Sequence, residues 1–444
     1  MGLVLCADVG STFTKAALVD ADDGSVLATA AHPTTVASDV MDGLDAVAAE
    51  VGGRGIPDRT LVCSSAGGGL RLAVVGYERE VTAEAGRRVG LSAGAKVVHV
   101  ASGPLAGPDL AALRGSRPDI VLLVGGTDGG NADVLLHNAT RLAKARMAAP
   151  IVAAGNADAA EDVEGVLRGT GRTVTMTANV VPRIGVIAPE AARSAIRAAF
   201  LSHVIGGKGL SRGRGFAELV RAPTPDAVLR GVEVLAEAVD ADILVVDIGG
   251  ATTDVYSVIT PHGDEASRRR DVVAPLWHSR TVEGDLGMRW NARGILEAAT
   301  REGLTLAAST QAYAARVAAE TAHLAASPAE WEAERELATT AALVAVRRHA
   351  RPAMPSERPR PLGEVRLVLG SGGVLRHAPD ELAASVMGAV ATDHAGGWRV
   401  PRGARTGVDT AYLLFAAGLL AEDHPQAARA LGERIAGGVV GAPA

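Results

Sequence analysis

One short pattern occurs twice in the sequence, far apart in the chain. DVGSTFTKAALV begins at Asp8, and DIGGATTDVYSV begins at Asp247. The two segments share Asp, Gly, Thr and Val at identical offsets, which indicates an internal duplication. In each, an apolar strand ends in a carboxylate, and a glycine-rich turn follows whose backbone N–H groups can surround a phosphate. The repeat therefore predicts two units, each opening with a strand, a phosphate-binding turn and a second strand.

Composition also favours more than one unit, and it favours the α/β class. The chain has 444 residues, of which 48% are hydrophobic, and this is too much apolar chain for one small core. Its 53 glycines cluster after apolar runs, as they do in the loops of α/β proteins.

The order of apolar segments predicts a β-meander followed by alternating strands and helices. The meander consists of residues 3–9, 14–19 and 26–31. From residue 61 onward the alternation implies a parallel sheet covered by helices. The predicted strands there are 61–63, 96–100, 120–124, 151–154 and 173–177, and the predicted helices are 82–91, 133–147 and 157–167. A helical stretch over 189–239 then precedes a strand at 243–247, and the apolar segment 411–420 is read as a buried helix.

The two turns supply candidate ligands for a polyphosphate and its metal ion. If the two hairpins face each other across a cleft, they hold a polyphosphate from both sides, and Asp8 and Asp247 bind Mg²⁺ through its water molecules. The candidate phosphate-binding residues are Gly10, Ser11, Thr12, Thr14 and Lys15 in the first turn, and Gly249, Gly250, Ala251, Thr252, Thr253 and Asp254 in the second.

Three motifs in order resemble those of the actin, Hsp70 and sugar kinase superfamily. DVGSTFTK is similar to its first phosphate motif and DIGGATTD to its second. LVLGSGGVLRHAP resembles its adenosine motif, a strand followed by Gly370, Gly372 and Gly373. The resemblance implies a two-lobed actin-like ATPase with duplicated ribonuclease H-like domains, an inserted α/β subdomain in the first lobe, and bound ATP or ADP with Mg²⁺.

The same resemblance implies roles for particular residues and boundaries for the lobes. Asp8, Asp247 and Thr252 are the expected catalytic residues, with Thr252 and Asp254 near the γ-phosphate, and Gly284 in TVEGDLGMR lies near the nucleotide. The first lobe covers residues 1–241 with an insertion at about 96–180, the second covers 242–404, and C-terminal helices over 405–444 return to the first lobe.

Within this superfamily the sequence is most similar to the glutamate mutase accessory family, called MutL or GlmL. The segments that carry this resemblance are CSSAGGGLRLAVVG, VTAEAGRRVGLSAGAKVV, LLVGGTDGGN, TVEGDLGMRWNA and GVDTAYLLFAAGLL. The resemblance implies an ATP-dependent partner of an adenosylcobalamin-dependent mutase, and in particular a slowly hydrolysing, reactivating chaperone that expels damaged cofactor.

Three other functions remain open at this stage. A small-molecule kinase of the same fold would need an acidic base for its acceptor hydroxyl. An activator of 2-hydroxyacyl-CoA dehydratases would share an iron–sulfur cluster between two subunits, although Cys6 lies within the first predicted strand, a poor place for a cluster ligand. A filament or scaffold protein would need self-complementary surfaces, which a sequence does not reveal.

Other features point away from further partners. Aromatic residues make up 3% of the chain and the net charge is −6, so a nucleic-acid partner is not expected. The N-terminus shows no targeting segment and the longest apolar run is about half a membrane span, so we expect a cytoplasmic protein without a membrane partner. The eleven histidines form no zinc or cobalamin-ligating motif. VGGTDGGN at 124–131 and AGGGLRL at 66–72 are read as loops, and the former is the better candidate for a partner contact.

Overall fold

The computed structural model describes residues 2–212, 215–259, 278–352, 359–394 and 403–438. It is an α/β fold with one parallel and two mixed sheets, as the sequence predicts. The chain divides into two compact units. The first contains Met1–Arg230 and Phe415–Ala428, and the second contains Gly231–Pro261, Trp277–Leu414 and Arg429–Ala444.

The first unit opens with a five-stranded mixed sheet. Its strands are β1 (Leu3–Val9), β2 (Phe13–Asp20), β3 (Val26–Pro33), β4 (Arg59–Ser64) and β10 (Val220–Pro223), in the order β10-β4-β1-β2-β3. β1, β2 and β3 are antiparallel neighbours, whereas β4 runs parallel to β1 and β10 runs parallel to β4. The helix α1 (Val40–Gly52) buries Leu44, Val47 and Val51 in the core of this sheet, and the Asp39 side chain caps it by accepting from the Met41 N–H.

A second sheet in the first unit is entirely parallel. Its strands are β5 (Leu70–Gly76), β6 (Ala95–Ser102), β7 (Ile120–Leu123), β8 (Ile151–Ala153) and β9 (Val174–Met176), in the order β6-β5-β7-β8-β9. In β5, Leu72 and Val74 pack into the core of the first sheet, while Ala73 and Val75 pack into a separate core. Both faces are therefore covered, which explains why these strands read as continuous apolar runs.

The helices of the first unit follow the strands closely. They are α2 (Thr82–Ser92), α3 (Gly107–Gly115), α4 (Asp133–Ala143), α5 (Ala160–Arg168), α6 (Glu190–Ala199), α7 (Gly215–Leu219) and α8 (Thr224–Val239). A π-helical segment, Phe200–Ile205, continues α6. The helix α8 leads from the first unit into the second.

The second unit is built on the third sheet. Its strands are β11 (Ile243–Ile248), β12 (Thr253–Val258), β13 (His278–Glu283), β14 (Leu367–Ser371) and β15 (Arg405–Val408), in the order β13-β12-β11-β14-β15. Its helices are α9 (Ala292–Arg301), α10 (Ala308–Ala319), α11 (Pro328–Ala350), α12 (Gly373–His377) and α13 (Asp380–Thr392). The last two helices, α14 (Leu414–Leu420) and α15 (Pro425–Gly437), are divided between the units, because Phe415–Ala428 belongs to the first.

The two mixed sheets have the same strand order and the same strand directions. Numbered along each unit, both read 3-2-1-4-5 with an antiparallel 1-2-3 meander and parallel strands 4 and 5. The pairing registers also match, because Asp8 lies opposite Lys15 and Asp247 lies opposite Asp254. The repeated sequence pattern thus occupies the same position in two sheets of equal topology.

Several details of the predicted elements were wrong. β5 begins at Leu70, so AGGGLRL is a loop only as far as residue 69. The strands β10 and β15 interrupt regions predicted to be helical, and the helix predicted over 133–147 ends at Ala143. The strands β10 and β15 are short, and their pairing partners are distant in sequence, so the pairing leaves no local signal. The sequence also contains one basic run, three arginines at 268–270, which is read as a solvated loop and lies outside the described residues.

Candidate functional site

The first turn is closed by its own backbone. The Gly10 N–H donates to the Phe13 carbonyl at 3.1 Å, and a Cβ atom on Gly10 would lie 2.7 Å from that oxygen, so glycine is required here. Ser11 and Thr12 are exposed at the tip, whereas Thr14 is buried with its hydroxyl 3.2 Å from that of Thr34. Of the residues predicted to bind phosphate, Ser11 and Thr12 therefore present side chains to solvent, and Thr14 serves the packing of the sheet.

Asp8 lies beneath this turn and is almost completely buried. It accepts a 2.5 Å hydrogen bond from the Thr224 hydroxyl at the start of α8, and the Lys15 ammonium lies 4.0 Å from its other oxygen. The Cys63 thiol donates to the same oxygen as Thr224, at 3.7 Å. Burial, together with the Asp8 charge, raises the pKa of Cys63 well above its ordinary value, so the thiol is protonated.

Thr224 is a partner of Asp8 that was not predicted from the sequence. The only available signal is local, because Thr-Pro-Asp at 224–226 has the composition of a helix start. Nothing in the sequence relates that helix start to an aspartate more than 200 residues earlier.

The second turn repeats the closure of the first. The Gly249 N–H donates to the Thr252 carbonyl at 2.9 Å, and a Cβ atom on Gly249 would lie 2.9 Å from that oxygen. The Thr253 hydroxyl is buried and donates to the Leu286 carbonyl at 2.7 Å, so Thr253, like Thr14, is a structural residue of the hairpin.

The segment after β13 supports the second turn from behind. The N–H groups of Arg289 and Trp290 donate to the Gly250 carbonyl at 2.8 and 3.0 Å, and the Asn291 amide donates to the Ala251 carbonyl at 2.8 Å. At Gly287, a Cβ atom would lie 2.3 Å from the backbone of Ala251. Gly284, the glycine of this segment that is predicted to lie near the nucleotide, is exposed with open space at its Cβ position, and Gly287 is the glycine that the turn requires.

Asp254, opposite Asp247, is held by two neighbours. Both Nε and Nη2 of Arg280 donate to Asp254 Oδ1, at 3.0 and 2.6 Å, and the Thr252 hydroxyl donates to Asp254 Oδ2 at 3.0 Å. Burial by itself lowers the pKa of Arg280, but the charge of Asp254 outweighs that effect and the pKa of Arg280 is raised. The guanidinium remains charged and compensates the carboxylate.

In the adenosine motif, the three glycines have three different roles. Gly370 lies inside β14, not after the strand as predicted, and a Cβ atom there would contact the Leu375 and Met387 side chains at 2.5 and 2.7 Å. Gly372 has a φ of +97°, and a Cβ atom there would lie 2.3 Å from the Ile248 carbonyl and 2.8 Å from Asp247 Oδ1. Gly373, the first residue of α12, has open space around it. The structure thus brings Gly372 and Asp247 together, whereas Gly370 serves core packing.

Each turn, taken by itself, offers one carboxylate of the kind that binds Mg²⁺ through water. Among the described residues, no three His, Cys, Asp or Glu side chains form a metal-binding group. Mg²⁺ in nucleotide sites is held by one or two carboxylates, by phosphates and by its own water molecules, and Asp8 and Asp247 are donors of this kind.

Outside the turns, the loop 124–131 is fixed by amide side chains. The Asn179 amide donates to the Gly126 carbonyl at 3.0 Å and to Asp128 Oδ1 at 2.8 Å, and the Asn156 amide donates to the Gly130 carbonyl at 2.9 Å. Gly126 and Gly129 have φ values of +68° and +72°, which only glycine adopts readily. The loop follows β7 as predicted, and its suggested role as a partner contact stays a prediction.

The fold and the turns together define the class: an α/β protein in which two sheets of equal topology each carry a glycine-closed turn next to an aspartate. The profile of the MutL protein family matches residues 4–435. The sequence is 35% identical to "Protein MutL" of Clostridium tetanomorphum over 96% of this chain and 98% of that protein. The chain belongs to the MutL family, which confirms the resemblance seen in the sequence.

Solved structures similar to this chain include two proteins with a bound nucleotide analogue. A glucokinase of the ROK family from Streptomyces griseus, with glucose and AMPPNP, has a TM-score of 0.35 and 13% identity, with 98% of this chain and 100% of that chain covered. The activator of 2-hydroxyisocaproyl-CoA dehydratase from Clostridium difficile, with ADPNP, has a TM-score of 0.31 and 11% identity, with 100% of each chain covered. Nucleotide-free acetone carboxylase has a TM-score of 0.41 and 15% identity, with 95% and 70% covered. At these TM-scores, neither fold nor function follows from the similarity.

In the part of the chain that the structure describes, every helix is too short or too polar to cross a bilayer.

Proposed function

We propose that this protein binds ATP or ADP with Mg²⁺, hydrolyses ATP slowly, and acts as an accessory or reactivating chaperone for an adenosylcobalamin-dependent mutase related to glutamate mutase. The observation that carries the proposal is the repeated turn. Gly10 and Gly249 close their turns through the same hydrogen bond, in sheets of the same topology, each next to an aspartate. Membership of the MutL family supports the accessory role.

In this proposal the two mixed sheets are the cores of two actin-like lobes, and the parallel sheet is the inserted subdomain of the first. The proposed lobe boundaries are 1–241, 242–404 and 405–444. The proposed insertion at about 96–180 contains the strands β6 to β9 of the parallel sheet, and β5 (Leu70–Gly76) precedes it. Each turn binds phosphate groups of a nucleotide, and Asp8 and Asp247 are each proposed to bind water molecules of an Mg²⁺ shell. The metal supplies charge neutralisation for the phosphates when it is bound. The proposed location is the cytoplasm.

This chain's own residues have distinct tasks in the proposed site. Thr224 and Lys15 orient Asp8, and Gly372 leaves space for Asp247. Exposed Ser11 and Thr12 donate to phosphate oxygens, which are acceptors only. The proposed site has no strong general base, so hydrolysis is slow. The ATP and ADP states bind the partner with different free energies, and this difference couples the nucleotide cycle to the partner.

The buried cysteines favour this proposal over an iron–sulfur activator. Cys6 and Cys63 are both fully buried, on the neighbouring strands β1 and β4. Burial raises the pKa of Cys6 as well as that of Cys63. Neither thiol can reach a cluster shared with a second subunit without unfolding of the sheet.

Calorimetry tests the nucleotide part of the proposal. ATP and ADP are titrated into the wild-type chain with and without Mg²⁺, and into D8N, D247N and the control D423N, which removes only an exposed ion pair with Arg59. We expect metal-dependent binding that D8N and D247N abolish and D423N retains. Full Mg²⁺-dependent binding by both turn variants would refute the assignment.

Phosphate release and reactivation test the accessory part. Slow release that is insensitive to glutamate or a hexose, together with ATP-dependent recovery of a cobalamin-inactivated mutase, is the expected result. Release that rises steeply with a small molecule would instead identify a kinase.

A further inference from the structure

The two turns differ in charge at one equivalent position. Lys15 lies opposite Asp8 in the first sheet, and Asp254 lies opposite Asp247 in the third. The first turn therefore has one carboxylate and one ammonium, whereas the second has two carboxylates at the matching positions. Two neighbouring carboxylates repel each other and repel a polyphosphate, so the second turn needs a cation from elsewhere.

Arg280 is the residue that supplies this cation. It projects from β13, one strand farther from β11 than Asp254, and its side chain is only 5% exposed. Two of its nitrogens donate to the same oxygen of Asp254, and its guanidinium lies 5.8 Å from the centre of the Tyr256 ring. A charged group buried this deeply is retained only where it is paired.

The pairing also fixes the direction of a hydrogen bond in the turn. Because Arg280 occupies Asp254 Oδ1, the other oxygen accepts the proton of the Thr252 hydroxyl. A hydroxyl has one proton and two lone pairs. Thr252 therefore offers lone pairs to the site, so it accepts a hydrogen bond from a water molecule and does not donate to a phosphate oxygen.

We propose that Arg280 is the positioning residue of the second turn: it compensates the charge of Asp254 and, through Asp254, directs the Thr252 hydroxyl to accept a hydrogen bond from water. The inference rests on the proposed nucleotide function and adds a residue and a mechanism to it. Arg280 lies outside the repeated pattern. In the first sheet, the positive charge next to the aspartate comes from Lys15, which lies opposite Asp8 within the pattern.

The test compares R280Q and R280K with a matched control in the full-length chain. R347Q removes another arginine that is 4% exposed and bound to two carboxylates, Asp393 and Glu302, on a helix of the same unit. Single-turnover phosphate release from Mg·ATP and calorimetric ATP affinity are both measured. We expect R280Q to slow release by about 10- to 100-fold, the usual effect of an outer-shell partner, with a smaller change in affinity. R280K should recover part of the rate of phosphate release. R347Q should lower thermal stability but leave the rate of phosphate release unchanged.

A double-mutant cycle separates positioning from a general loss of structure. Because Arg280 acts through Asp254, R280Q in a D254N background should change the rate by less than about twofold. The D254N/R280Q chain has no buried charge left unpaired at this site, so it also serves if R280Q alone does not fold. Multiplicative losses in the double variant, or a wild-type rate in R280Q, would overturn the role of Arg280. Failure of the wild-type chain to bind Mg·ATP would instead overturn the proposed function itself.

Discussion

Replacing Gly372 by alanine tests whether the adenosine-motif turn is built around Asp247. Gly372 combines a φ of +97° with a ψ of +161°, a conformation that is essentially restricted to glycine. An alanine there carries about 1–3 kcal/mol of backbone strain. Its Cβ atom would also lie 2.3 Å from the Ile248 carbonyl, which is backbone and cannot rotate away. Overpacking of this kind costs about 1–3 kcal/mol more. We therefore expect G372A to lower the free energy of unfolding of the second unit by about 2–6 kcal/mol.

The neighbouring glycine provides the matched control. Gly373 is the first residue of α12 and has no atom within 4 Å of its Cβ position, so G373A should change the free energy of unfolding by less than about 1 kcal/mol. Urea unfolding followed by tryptophan fluorescence reports on the right unit, because Trp290 and Trp331, the tryptophans that the structure describes, both belong to the second unit.

Nucleotide affinity is measured on the same two variants below the unfolding transition. Since the added methyl group would lie 2.8 Å from Asp247 Oδ1, G372A should also weaken Mg²⁺-dependent binding, and G373A should not disturb Asp247. Equal stability of the two variants would refute the reasoning from the backbone geometry. Reduced stability with unchanged Mg²⁺ dependence would refute the link to Asp247.

Three further predictions follow from buried groups. T224V removes the hydroxyl that donates to the buried Asp8, so it should lower the free energy of unfolding by about 1–3 kcal/mol and weaken Mg²⁺-dependent nucleotide binding. T224S keeps the hydroxyl and should retain both properties. Thermal unfolding and calorimetry measure the two effects. Burial lowers the pKa of His349 well below its ordinary value, so the unfolded chain takes up a proton that the folded chain does not. Stability should therefore fall below pH 6.5 by up to about 1.4 kcal/mol per pH unit, and H349Q should lack this component; equal pH slopes in urea titrations would contradict it. G370A should lower the free energy of unfolding by about 1–3 kcal/mol, because the added methyl group would contact Met387. Nucleotide affinity should not change, because Gly370 serves core packing. A loss of nucleotide affinity without a loss of stability would instead indicate that Gly370 belongs to the nucleotide site.

The sequence predicted the α/β class, the hairpins at both turns and the family, because these depend on local patterns. The strand β1, for example, begins with an apolar run that leads up to Asp8, and such runs are visible in the sequence without their pairing partners. Gly10 and Gly249 could be assigned to turns for the same reason, since a glycine between two strands is a local signal. The strands β10 and β15 were not predicted, because four-residue strands are stabilised by pairing with distant segments.

Within the candidate site, the sequence by itself determined which two turns and which two aspartates to consider. Only the tertiary structure decided which polar side chains face solvent and which are buried and hydrogen-bonded within the protein. It placed Thr14 and Thr253 in the interior, and it joined Thr224 to Asp8 and Arg280 to Asp254. The physical reason is that hydrogen bonds and ion pairs depend on distance in space, whereas a sequence records only the spacing along the chain. A local motif therefore identifies a turn, but the charge and orientation of its residues are set by strands and helices that arrive from elsewhere in the sequence.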